Sequence, residues 1–197
     1  MNHVPGQSSF LNFGGSPNPT DRLFFAVLPD IAVAKRVAQF AHGMRNEYNL
    51  KGKLLAPDRF HVTLYHIGDY EGLPGRIVTI ASEAAATVAM PPFDITFDRA
   101  GSFSGRPGNL PFVLRGRDGV VALIAFQRVL ATAMMKAGLK SPGKSGFTPH
   151  MTLLYDERYV PEQAAEVIGW TAHEFVLIHS LLGRTRHSHL DRWPLIG

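Results

Sequence analysis

Cysteine is absent from all 197 residues. That excludes a disulfide scaffold, a thiolate metal site and a cysteine nucleophile. Charged side chains are sparse at 18%, against 45% hydrophobic residues, a balance that excludes wholesale disorder and fits one domain or two small lobes. No apolar run approaches the roughly 18 residues of a membrane span, so no membrane association is expected. Residues 1–20 lack the basic start and apolar stretch of a secretory signal. Rich in Gly, Pro, Ser and Asn, they are read as a flexible leader before a domain at 21–197, with a cytoplasmic location and a monomeric state expected.

The charge that is present leans basic. Lys and Arg total 20 against 16 Asp and Glu, a net charge of +4, and 14 of the bases are Arg. The guanidinium fork suits phosphate, but +4 is too small to define a nucleic-acid binder by itself. Nine histidines are the stronger lead, because imidazole is the acid or base available near neutral pH.

Strands are expected at 22–28, 60–67, 93–97, 111–115, 149–155 and 175–182, with 193–196 closing a sheet edge. Helices are expected at 31–48, 73–88 and 120–137 from apolar spacing, with Asp30 as a cap and Gly138 as a stop. Strand–helix–strand blocks with a hairpin-like pair between them favour an α+β fold. The stretch 101–109 reads as a Gly-, Ser- and Pro-rich loop without a nucleotide-loop pattern.

Two of the expected strands repeat one signature. His61-Val62-Thr63-Leu64 follows Phe60, and His150-Met151-Thr152-Leu153 follows Phe147 at a short distance. From the residue counts, H-x-T-L is expected by chance roughly 0.05 times in this chain. Side chains two apart share a strand face, so each strand presents one imidazole and one hydroxyl and turns Val62, Leu64, Met151 and Leu153 to a core. Across a cleft, one imidazole can take a proton from water while the other protonates a leaving alkoxide. The hydroxyls can bind the phosphate oxygens on which charge builds. This chemistry needs no metal and no cofactor. The spacing does not say which histidine is the acid.

With these residues the chain resembles the two-histidine (2H) phosphoesterase superfamily, and within it the RNA 2′,3′-cyclic phosphodiesterases historically called 2′-5′ RNA ligases. The resemblance runs through the opening strand at 22–29, the first motif at 60–69, the second at 147–154, and the closing segments 177–180 and 190–195. It implies a bilobal α+β fold with pseudo-two-fold symmetry, in which antiparallel sheets flank a central cleft and helices lie outside. It also implies opening of a 2′,3′-cyclic phosphate, on an RNA end or a nucleotide, to a 2′-phosphomonoester. By the same resemblance His61 is the general acid and His150 the general base, while Thr63 and Thr152 hold phosphate oxygens.

Two departures mark a divergent subgroup. Tyr155 stands where many relatives carry Arg, and His187 where relatives often carry Tyr. Tyr155 is kept as a substrate-binding candidate, although in an unbroken strand it faces away from His150. Phe24 shares a face with Arg22 and is the candidate for stacking on a base. Tyr65 shares the face of His61 and serves either substrate or packing, whereas His66 is expected to point away. His187 and His189 read as a surface loop rather than a chelate. Lys136, Lys140 and Lys144 form a candidate basic lip before the second motif. The alternatives are a related linkage, such as a 2′-5′ oligonucleotide or an ADP-ribose cyclic phosphate, the reverse ligation, and an RNA- or nucleotide-binding module without turnover.

Overall fold

The computed structural model describes residues 18–140, 146–184 and 186–197; most of the expected leader and Lys144 of the basic lip lie outside them. Among the described residues, eight strands form two antiparallel sheets. The first holds β1 (Asp21–Val27), β2 (Val62–Tyr70), β7 (Glu174–Leu181) and β8 (Arg186–Pro194), in the order β2-β1-β7-β8. The second holds β3 (Phe93–Ser102), β4 (Leu110–Arg115), β5 (His150–Asp156) and β6 (Gln163–Ala172), in the order β5-β4-β3-β6. Each sheet contains one strand–helix–strand unit. In the first, α1 (Ile31–Glu47) joins β1 to β2; in the second, α3 (Val121–Lys136) joins β4 to β5. A further α-helix, α2 (Gly75–Ala85), precedes β3. The α+β, two-lobed architecture is the one expected.

The helices form where the sequence places their signals. The Asp30 carboxylate accepts the Val33 amide at 2.8 Å and opens α1. Ala34, Val37, Ala41 and Met44 then line its buried face. On α3 the buried face is Leu123, Phe126, Leu130 and Met134, and Gly138 follows it with φ of +82°, the left-handed stop that glycine supplies at no steric cost. Residues Asp118–Lys136 form a 19-residue helical stretch containing an 18-residue window of mean hydropathy 1.4, long and apolar enough by composition to cross a membrane. This corrects the expectation that no such run exists; Gln127 and Arg128 interrupt the apolar run without lowering its mean enough. Here the stretch packs against β2 and β3 and places Phe126 against Phe93 and Phe175.

One contiguous core joins both sheets to the helices, running from Leu23, Phe25 and Val27 through Phe97, Phe112 and Leu114 to Phe175 and Leu177. A second, small cluster of Phe24, Ala26, Val176 and Ile178 covers the opposite face of the first sheet. That face is the floor of the cleft.

Two strands differ from the sequence reading. β6 is missing from that reading: only Ile168, Trp170 and Ala172 alternate cleanly toward the core, and Ala, Glu and Gly dilute its β-propensity. β8 is expected only at its last residues, yet it pairs with β7 along its length. Being an edge strand with almost no aliphatic residues, it carries no periodic apolar signal. His187 and His189 therefore sit on a strand, not on a surface loop. β3 also extends through Gly101 and Ser102, which read as loop in the sequence.

Candidate active site

The two motif strands, β2 and β5, are edge strands of different sheets and lie against each other. A segment preceding β2 holds β5 in place. Asp156 Oδ2 accepts the amides of Lys51 and Gly52, both at 2.6 Å, and Oδ1 accepts the amide of Arg158 at 2.9 Å. Gly52 comes so close to β5 that a Cβ there would sit 1.9 Å from the Tyr155 carbonyl oxygen. Burial opposes ionisation of Asp156, but the amides of Arg158, Gly52 and Lys51 prevail and hold its pKa below the usual carboxylate value. Asp156→Ala strands three amides and is expected to cost about 1–3 kcal/mol of stability, read as a shift in the denaturation midpoint at constant m-value.

The internal repeat extends to atomic detail. The His61 Nδ1–H donates to the Arg59 carbonyl at 2.7 Å, and the His150 Nδ1–H donates to the Thr148 carbonyl at 2.8 Å. A carbonyl can only accept, so each Nδ1 carries the proton and each Nε2 is left free to exchange one. Each ring also leans on a phenylalanine. Phe24 lies 5.1 Å from His61 between centroids, and Phe103 lies 4.8 Å from His150 with Arg115 stacked over it at 5.0 Å.

A β-bulge occurs at the same place in both motifs. On β2 the register passes from Thr63 to Tyr65 and skips Leu64; on β5 it passes from Thr152 to Leu154 and skips Leu153. An extra residue reverses the facing of everything after it. On β5 the bulge buries Leu153 and Leu154 together and turns Tyr155 outward, 45% exposed, onto the face of His150 and Thr152. On β2 it buries Tyr65, whose hydroxyl donates to the Leu139 carbonyl at 2.6 Å. It also turns His66 to the side of His61 and Thr63. The unbroken-strand expectation is thus corrected for all three residues. Tyr155 shares the face of His150, Tyr65 packs, and His66 does not point away. His66 Nε2 bonds Asp69 at 2.8 Å, and Asp69 receives both arms of the Arg22 fork at 2.7 Å.

The electrostatics of the cleft favour the neutral form of His61, His150 and His187. Burial pushes His61 down to about 4, with Arg59, His150 and His189 adding positive potential. Burial, Arg59, His61 and His189 push His187 to about 3. Burial and Arg115 also lower His150. With β2 and β5 in contact, His150 adds positive potential at His61. His187 packs edge-on to His61 at 5.2 Å and to Phe24 at 5.6 Å. Sequence reasoning misses Arg59, Phe103 and the approach of His187. The one signal for Arg59 is its position two residues before a motif histidine. Among the described residues no three His, Asp or Glu side chains are grouped to hold a metal ion.

A protein-family model described as the 2′-5′ RNA ligase superfamily matches residues 29–184. The chain belongs to the 2′-5′ RNA ligase superfamily. No curated protein sequence matches it. Among solved structures it is similar to LigT of E. coli in complex with 3′-AMP, at 26% identity and a TM-score of 0.69 over 91% of this chain and 100% of that one. A crystal structure described as a phosphoesterase aligns at 24% identity and a TM-score of 0.70, again over 91% and 100%. The TT0787 protein of Thermus thermophilus aligns at 22% identity and 0.68 over 89% and 98%. The last two establish a shared fold. Membership of this ligase and phosphoesterase superfamily matches the resemblance read from the two motifs.

Proposed function

We propose that the protein hydrolyses 2′,3′-cyclic phosphates of RNA ends or nucleotides to 2′-phosphomonoesters without a metal ion. The observation that carries this reading is the pair of imidazoles on facing motif strands, each tied through Nδ1 to a backbone carbonyl and free at Nε2. His150 Nε2 takes a proton from water as the water oxygen bonds to phosphorus. The P–O3′ bond breaks, and the protonated His61 Nε2 gives its proton to the departing 3′ oxygen. Thr63 and Thr152, on the same strand faces, donate to the non-bridging oxygens. Tyr155 at the rim is the group for the nucleoside; Phe24, expected to stack on a base, is only 3% exposed and instead backs the rings of His61 and His187. E. coli LigT has been crystallised with 3′-AMP, ATP and NADP+, which supports a nucleotide or RNA substrate. The assignment of acid to His61 and base to His150 follows the superfamily resemblance.

Incubation with adenosine 2′,3′-cyclic phosphate in excess EDTA is expected to give the 2′-monophosphate alone. No product, the 3′-monophosphate, or product only on adding metal would count against the proposal. A panel including 2′-5′ dinucleotides and ADP-ribose 1″,2″-cyclic phosphate tests the related linkages, which the Tyr155 departure favours.

The pH dependence has a definite sign. Turnover requires one protonated and one neutral imidazole. In the free protein His61 and His150 both lie below 6.5, so kcat/KM is expected to peak on the acid side of 6.5. A bound anionic phosphate stabilises the imidazolium and raises both values. The optimum of kcat is therefore displaced upward relative to kcat/KM. Coincident optima above pH 7 would contradict the buried, neutral resting site.

A further inference from the structure

Beside the motif cleft lies an open cavity of about 400 Å³ lined by Asp58, Arg59, Arg186, His187 and His189. We propose that this cavity is a second phosphate subsite, which holds the phosphate on the 5′ side of the nucleoside whose cyclic phosphate is opened. The proposal rests on the hydrolytic reading above and assigns a substrate class to it: substrates with a further phosphate, in preference to bare nucleoside cyclic phosphates.

Arg59 is the principal observation. Its Nε and Nη1 are buried, and neither has a hydrogen-bond partner among the described residues. Arg22, Arg36, Arg115 and Arg192 are paired with Asp69, Glu166, Glu162 and Glu174; Arg99 on β3 also leaves a buried Nε without a partner, but it does not line the cavity. Orphaned donors on a half-buried guanidinium are costly, and a phosphate oxygen entering from the cavity would accept from one edge of it. Anchoring His61 does not require this side chain. The repeat gives the control, because Thr148 holds the same position before His150 and serves its ring equally well through its carbonyl. The guanidinium is thus an addition to one half of a symmetric device.

The remaining lining fits the same ligand. Arg186 brings a second fixed positive charge, and Asp58 offsets one of the two. His187 and His189 line the cavity from β8. His187 also fixes the distance between the two sites, since its ring is 5.2 Å from that of His61. A group in the cavity is therefore adjacent to a phosphate held at the motif histidines, the relation of neighbouring phosphates on one nucleotide.

The test compares adenosine 2′,3′-cyclic phosphate with its 5′-phosphorylated derivative. The wild-type protein is expected to favour the phosphorylated substrate in kcat/KM by about tenfold or more, as charge-assisted contacts supply. The preference should shrink with added salt. Arg59→Gln and Arg186→Gln should each bring the ratio toward one, whatever they do to both rates together. A wild-type ratio near one, or a preference intact in both variants, overturns the subsite while leaving the hydrolytic reading in place. The same ratio is read as Kd by calorimetry on His150→Ala, where no turnover is needed. There, equal affinities overturn the subsite, and a tenfold difference abolished by Arg59→Gln upholds it even if neither compound is ever hydrolysed.

Discussion

Replacing His61 or His150 with alanine is expected to lower kcat on a 2′,3′-cyclic nucleotide by about 10²–10⁴-fold each, the usual contribution of a positioned general acid or base. The double replacement should fall well short of the product of the two losses, because groups acting in one transition state are not additive. Circular dichroism and a denaturation curve should show both folds retained. Each imidazole contributes one hydrogen bond to a carbonyl of its own strand entry, and the core beneath is carried by Val62, Leu64, Met151 and Leu153. The two roles separate with an aryl phosphodiester whose leaving group departs without a proton. On it, His61→Ala should recover much of the lost rate and His150→Ala should not. Recovery in the His150 variant instead would exchange the roles, and equal wild-type activity in either variant would remove them.

What the sequence discloses, and what it hides, follows from how each residue makes its contacts. The motif strands are legible because their signature occurs twice, and because i and i+2 share a face up to Thr63 and Thr152. Beyond those residues the two-residue period misleads. A bulge is a property of the strand pair, set by how β1 meets β2 and β4 meets β5, and neither strand alone announces it. That single extra residue, repeated in both halves, decides that Tyr65 is core and that His66 and Tyr155 share the faces of His61 and His150. β8 is hidden for a different reason. Its Arg, His and Ser residues form a strand because β7 offers a pairing edge, so the approach of His187 to His61 is created by tertiary structure. Arg59 is hidden because its significance is an absence of partners, which no local pattern encodes.

Thr63→Val and Thr152→Val keep the shape of the side chain and remove only the hydroxyl. Each is expected to lower kcat by about 10²–10³-fold, as loss of one donor to developing oxyanion charge does elsewhere. The effect should fall on kcat more than on KM if the hydroxyls tighten on the phosphate only as charge builds. Both side chains are half-buried on the cleft faces. Valine, a strong strand former, should therefore leave stability unchanged or slightly raised. That combination distinguishes a phosphate donor from a structural threonine, whose loss would lower the denaturation midpoint and leave kcat nearly intact. The repeat sharpens the comparison further. The two threonines occupy equivalent positions, one before each bulge, so similar losses are expected from both. A large loss from one and none from the other would mean that the phosphate sits against a single motif strand, and the facing-strand mechanism would fail with it.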